Sequence, residues 1–186
     1  MVFITRRERF SAAHKLWNKN WDEQKNLDTF GKCANPNWHG HNYELFVTVK
    51  GDVDPDTGYV ADLKKIGKVV RERVISKLDH KNVNLDCDFM KGKMASTEVL
   101  AIEIWNQIKP DIDALDCELH CVKLTETENQ YVEYFGKKQL SYVKSNFRPP
   151  HCSSRCQTHG KRIHFKCIPI HVWRFINYRS HILVVR

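Results

Sequence analysis

No stretch of this chain approaches the roughly 20 consecutive apolar residues that a membrane-spanning helix needs. The start, Met1 to Arg9, turns charged before a secretory apolar segment forms. A soluble, cytoplasmic protein with no membrane partner is the expectation. Also missing is an even, regularly spaced set of cysteines: the seven are Cys33, Cys87, Cys117, Cys121, Cys152, Cys156 and Cys167. That argues against a disulfide framework and for reduced thiols or metal ligands. The sharpest lack is of acid, because residues 139–186 contain no Asp or Glu at all.

The formal charge of +8 therefore belongs to one end of the 186 residues. Residues 1–138 hold 21 basic and 22 acidic side chains, whereas residues 139–186 hold nine basic ones, five of the ten histidines and three of the cysteines. Such a change of composition, with the stretch SYVKSNFRPP from Ser141 to Pro150, marks a boundary. The expectation is one domain over 1–138, long enough for a real core, and a basic, poorly ordered tail over 139–186. Two functional readings of the tail stand beside that one. Its Lys, Arg and aromatic residues, Trp173, Phe175 and Tyr178 among them, suit an anionic surface or nucleic acid. Cys152, Cys156, His159 and His164 resemble a zinc set, with too short a span between the pairs for a finger helix.

Within 1–138, the even positions Phe10, Ala12 and His14 close a partly alternating strand that begins at Val2. Trp17 to Pro36 has no clean period and reads as a long loop, of the kind that carries function in compact domains. His41, Tyr43, Leu45, Val47 and Val49 alternate with Asn42, Glu44, Phe46, Thr48 and Lys50 and form the clearest strand. Asp62 caps a helix with the stripe Leu63, Ile66, Val70, Val74, Leu78. Ser96 or Thr97 caps a second, with Leu100, Ile104 and Ile108 inward and Pro110 just past its end. Leu119–Glu126 and Tyr131–Phe135 are short closing strands. The order predicts an α+β fold: a four-stranded antiparallel sheet with two helices on one face. Its two edges invite pairing with other copies.

Several residues carry chemistry. His39 and His41 project to one side of an extended strand, and His14 joins them if the first two strands pair. Three neutral imidazoles make a zinc site with one open position; histidines gathered by chance are the plain alternative. Cys33, beside Lys32, is either a fourth ligand closing a structural site or a free thiol that a nearby cation activates. Asp79-His80 can accept and pass protons near neutral pH. Glu126, on the inward phase of His120, Val122 and Leu124, is a carboxylate needing a partner, either paired N–H donors of a ligand or a salt bridge.

In order along the chain, FSAAH (Phe10–His14), FGKCANPNWHGHNY (Phe30–Tyr43), LDHKN (Leu78–Asn82), STE (Ser96–Glu98) and ETEN (Glu126–Asn129) resemble the 6-pyruvoyl-tetrahydropterin synthase family from about Val2 to Lys138. The resemblance implies the tunnelling fold, in which three four-stranded sheets join into a barrel and two such trimers stack as a homohexamer. It implies a lyase in tetrahydrobiopterin biosynthesis that converts 7,8-dihydroneopterin triphosphate to 6-pyruvoyl-tetrahydropterin and triphosphate without an external redox cofactor. His14, His39 and His41 then bind Zn2+, a Lewis acid towards the side-chain oxygens. Cys33 becomes the proton-abstracting thiolate, with Asp79 and His80 as relay partners. Glu126 holds the amino-pyrimidine edge of the pterin, helped by Ser96 and Thr97, at a site built on a subunit boundary.

Two other readings compete. The 6-carboxy-tetrahydropterin synthases of queuosine biosynthesis share the fold, the zinc and the dyad, but usually carry the cysteine closer to the paired histidines than the five intervening residues Ala34–Trp38 found here. A zinc-stabilised module gripping nucleic acid through the tail is the other; a nucleic-acid partner is not expected. Trp38 and the tail depart from the family pattern. Trp38 stands where a small residue is usual, and either crowds the zinc or packs on the loop.

Overall fold

The computed structural model describes Met1 to Lys137. The expected tail 139–186, with Cys152, Cys156, His159 and His164, lies outside the described residues.

Strand β1 (Val2–His14) and strand β2 (His39–Gly51) pair antiparallel along their whole length, from Val2 opposite Gly51 to His14 opposite His39. Their alternation is that of a half-buried sheet: Phe10, Ala12, Tyr43, Leu45, Val47 and Val49 are buried on one face. Strands β4 (Glu118–Thr127) and β5 (Gln130–Tyr134) continue the sheet, again antiparallel. A two-residue strand, β3 (Lys81–Asn82), runs parallel beside the end of β1, so the order is β3-β1-β2-β4-β5. The expected four-stranded antiparallel sheet is thus present, with one short parallel strand added at an edge.

The helices cover its buried face. Helix α2 (Leu63–Val70) runs through a π turn at Arg71–Ile75 into the short α3 (Ser76–Leu78). Ile66, Val70, Val74 and Leu78 step by four, which outruns the 3.6 residues of an α-turn. The wider π turn absorbs that excess and keeps all four fully buried. Leu63, expected on the same stripe, is exposed. Helix α4 (Thr97–Asp113) is capped by Ser96 and does not end before Pro110 but continues beyond it. Burying Ile112 completely stabilises by about 1.5–3 kcal/mol, comparable with the ~3 kcal/mol that an interior proline costs.

Two other expectations are corrected. His120 does not share the inward phase of Val122 and Leu124. The register shifts between Thr48–Cys121 and Val49–Leu119, and this bulge turns Leu119 inward. His120 packs instead against Phe3 and Phe135, with ring centroids 4.6 and 5.6 Å away. The supposed loop Trp17–Pro36 contains helix α1 (Glu23–Phe30) and a 3-10 turn at Gly31–Ala34. Its core is polar, so no apolar stripe announces it. Asp22 caps α1, accepting from the Lys25 N–H at 2.7 Å. The fully buried Asn26 accepts from the Asn18 N–H at 2.7 Å and donates to the carbonyls of Asn18, Asp22 and Trp21 at 3.0, 2.9 and 3.3 Å.

That amide takes the place of a hydrophobic core in the segment that carries Cys33. Replacing Asn26 by Ala leaves buried backbone groups unpaired and is expected to cost about 1–3 kcal/mol. Urea unfolding measures the loss, and amide exchange quickens between residues 18 and 34 first.

Candidate metal centre and active site

The pairing of β1 with β2 sets His14 opposite His39 and Ala12 opposite His41, so all three imidazoles leave the sheet on the helix-covered face. Their ring centroids lie 4.4, 5.1 and 5.1 Å apart. One ring nitrogen from each falls within 4.8 Å of the others. At Gly40, between them, a Cβ would crowd the Ala12 carbonyl oxygen of β1 at 3.1 Å.

The donor chemistry suits a cation. Nδ1 of His14 lies 2.8 Å from the Ala95 carbonyl, just before α4. The carbonyl can only accept, so Nδ1 carries the proton and Nε2 keeps its lone pair. That Nε2 and both ring nitrogens of His39 are buried without a hydrogen-bond partner. Each such group costs about 1–3 kcal/mol when left unmet, and a metal ion satisfies the lone pairs together. Burial is the main cause that holds all three histidines below the ordinary value of 6.5. The neighbouring rings add to it, while Glu126 opposes it throughout and Ala95 opposes it at His14. The imidazoles are therefore neutral and ready to ligate.

Glu126 stands against this group, Oε1 at 3.3 Å from His14 Nε2 and 3.6 Å from His41 Nε2. It lies where the β4–β5 register shifts between Thr125–Tyr131 and Thr127–Gln130. A bulge at that point re-aims a strand side chain. An open cleft of about 820 Å³ is lined by Ser11, Tyr43, Asp79, Thr125, Glu126 and Glu128 among others.

Asp79 and His80 end the α2–α3 segment. The Ser11 N–H donates to Asp79 Oδ1 at 2.9 Å, the His80 N–H donates to the Ser11 carbonyl at 2.7 Å, and His80 Nδ1 lies 3.1 Å from Asp79 Oδ2. The Ser11 amide is the leading cause that holds the Asp79 carboxyl below its usual value, with His80 adding to it. His80 has φ 57°, a left-handed backbone that favours glycine at a helix end. A histidine kept there is strain of the kind found at functional positions.

Cys33 sits half-buried in the 3-10 turn, its carbonyl accepting from the Leu16 N–H at 2.9 Å. The group that could hold a metal ion among the described residues comprises His14, His39 and His41, without Cys33. Among the described residues Cys33 makes no hydrogen bond to Asp79 or His80 either. Ser96 accepts from the Val99 N–H at 3.4 Å and Thr97 is buried; they follow Ala95 and stand at the helix end nearest the triad. The Lys15 ammonium lies 5.0 Å from the Trp38 ring centroid, and the Trp38 φ of 66° is a conformation that glycine adopts more readily. The sequence reading passed over the Ala95 carbonyl, which no side-chain motif signals. It also gave Tyr43 no role in the site, although its phase matched that of His39 and His41.

In the metal-free protein the histidine shifts bear on stability. Protons bind the unfolded chain at 6.5 but the folded triad only at lower pH. Stability therefore falls as pH drops through 6.5. Thermal melts of metal-free protein from pH 8 to 5 are expected to show that fall, and His14→Gln flattens it.

Comparison with known proteins extends this geometry. The family model described as 6-pyruvoyl tetrahydropterin synthase matches residues 3–137. The 6-pyruvoyl tetrahydrobiopterin synthase of Pongo abelii is 41% identical over 134 residues, covering 72% of this chain and 91% of the relative. The solved structure of the Caenorhabditis elegans 6-pyruvoyl tetrahydropterin synthase superposes with a TM-score of 0.68 at 36% identity, over 73% of this chain and 96% of the other. More distant is the 6-carboxy-5,6,7,8-tetrahydropterin synthase of Bacillus subtilis, 29% identical over 60% of this chain and 75% of its own. With three imidazoles converging on one point and a matching profile across the whole described region, the chain belongs to the 6-pyruvoyl tetrahydropterin synthase family.

Proposed function

We propose that the chain is a 6-pyruvoyl-tetrahydropterin synthase, a lyase that eliminates triphosphate from 7,8-dihydroneopterin triphosphate in tetrahydrobiopterin biosynthesis. The observation that carries this reading is the buried trio of His14, His39 and His41, with ring nitrogens left without a partner, inside a chain of that family. The imidazole donors and the open side of the group favour zinc. When bound, zinc supplies Lewis acidity that draws electron density from the substrate side-chain hydroxyls and makes the adjoining C–H protons removable.

The chain's own groups divide the remaining work. Cys33 takes the proton as a thiolate, on a segment tied to the residues after His14. Asp79 orients His80 through the contact at Nδ1, leaving Nε2 to exchange protons with the reacting side chain. Glu126 accepts a pair of N–H bonds from the amino-pyrimidine edge of the pterin, in the bidentate manner of a carboxylate. Ser96 and Thr97 assist at the start of α4. The internal redox balance is that of the substrate: its side chain is oxidised as its ring is reduced.

A homohexamer of two stacked trimers belongs to the same reading. In support, β5 pairs on one side only, and β1 beyond its pairing with β2 meets only the two residues of β3 among the described residues. Such edges join in closed assemblies. Assembly also offers a way to bring the Asp79–His80 pair of one subunit to the Cys33 of another. The four free cysteines among the described residues favour a reducing, cytoplasmic setting.

Incubation with 7,8-dihydroneopterin triphosphate should release triphosphate and 6-pyruvoyl-tetrahydropterin, and a chelator should stop it. A 6-carboxy product would move the assignment to the queuosine branch. Cys33→Ala is expected to lower turnover by about 100-fold or more while metal analysis still finds one zinc per chain. Loss of zinc from that variant would instead make the cysteine a ligand.

A further inference from the structure

Among the described residues, Tyr43 is a large polar side chain of the core whose hydroxyl makes no well-formed hydrogen bond. The residue is 1% exposed, and its hydroxyl is buried, just short of a well-formed hydrogen bond to the Glu126 carboxylate that faces it. Its ring is fixed on all sides, stacked on Phe10 at 4.9 Å and edge-on to His41 and His14 at 5.7 and 6.2 Å. A phenylalanine would fill the same space and spare the cost of stripping water from a hydroxyl. The hydroxyl therefore has a use that packing does not supply.

Its neighbours indicate that use. The β2–β4 register that pairs Leu45 with Leu124 and Glu44 with Thr125 puts Tyr43 and Glu126 next in line. The two residues also line the same open cleft. A phenol keeps its proton near neutral pH, so the hydroxyl is the donor and the Glu126 carboxylate the acceptor. The other groups close to the carboxylate are the Nε2 atoms of His14 and His41. Those atoms cannot donate once their lone pairs are given to a metal ion.

We propose that Tyr43 is a positioning residue: in the metal-loaded protein its O–H donates to one Glu126 oxygen and turns the carboxylate towards the paired N–H groups of a pterin. This rests on Glu126 as the pterin anchor and adds the group that aims it. The sequence HGHNY thus joins two roles on one strand face, with His39 and His41 for the metal and Tyr43 for the ligand carboxylate.

The test uses full-length, zinc-loaded protein and neopterin, which keeps the amino-pyrimidine edge but carries no triphosphate to eliminate; its fluorescence reports binding. Tyr43→Phe should weaken neopterin binding about 10-fold, the size of a lost hydrogen bond to a charged group. Substrate KM should rise similarly, with kcat changed by less than about threefold. The variant should keep its zinc, since phenylalanine fills the same core space and leaves the three imidazoles in place. On a Glu126→Gln background the same change should weaken binding by less than about twofold, because there is no carboxylate left to aim. Unchanged neopterin affinity in Tyr43→Phe would overturn the proposal, as would a full 10-fold loss on the Glu126→Gln background. A lower melting temperature with loss of zinc would make Tyr43 a packing residue and overturn it too. If wild-type protein neither binds neopterin nor turns over the triphosphate, it is the pterin reading that fails, and Tyr43 with it.

Discussion

The antiparallel pairing of β1 with β2 in a single register is the constraint on which the site depends. A slip of one residue would carry Phe10, Ala12 and His14 to the solvent face while Tyr43, Leu45 and Val47 stayed inward. Burial of those apolar side chains thus holds the register, and the register holds His14 across from His39. The convergence of the three imidazoles is in this sense a by-product of the core, specified at the far end of the same two strands.

Around that frame the protein tolerates local costs. Ring nitrogens of His14 and His39, and the Tyr43 hydroxyl, are buried without well-formed hydrogen bonds. His80 and Trp38 adopt left-handed backbone that favours glycine. None of these features helps the chain fold, and all lie at or next to residues with a part in the proposed chemistry. The fully buried layer of Ile66, Val70, Val74, Leu78, Leu100, Ile104 and Ile108 against the sheet offsets them.

The legible parts of the fold were those with simple periods. Strand alternation announced β2, and the capping residues Asp62 and Ser96 announced their helices, because an oxygen accepting from a first-turn amide is a local event. Helix α1 was hidden because Asn26, not an apolar stripe, forms its interior. Helix α4 outlasts the stop that Pro110 signals because the cost of a proline is visible in the sequence and the burial of Ile112 is not. The phase of His120 departs from the simple alternation because a bulge adds one residue without any mark on the chain. The candidate site was legible in its residue types, His14, His39, His41, Cys33, Asp79, His80 and Glu126. Its supports, the Ala95 carbonyl, the Ser11 amide and the Tyr43 hydroxyl, were not, since backbone groups carry no signature and a tyrosine in a strand looks like any core residue.

By itself the chain of amino acids determined which groups were available: neutral imidazoles two residues apart on a strand, a thiol on a polar segment, an acid–base pair after a helix. Those are properties of residue type and short spacing, and they survive in any fold that makes the strand and the helix. Only the tertiary structure decided which nitrogen of His14 keeps a free lone pair, that Cys33 lies apart from the three converging imidazoles, and that Glu126 and Tyr43 come to one cleft. Such outcomes turn on distances of a few ångströms between segments far apart in the chain, and those distances exist only once the sheet and helices have closed on a common core.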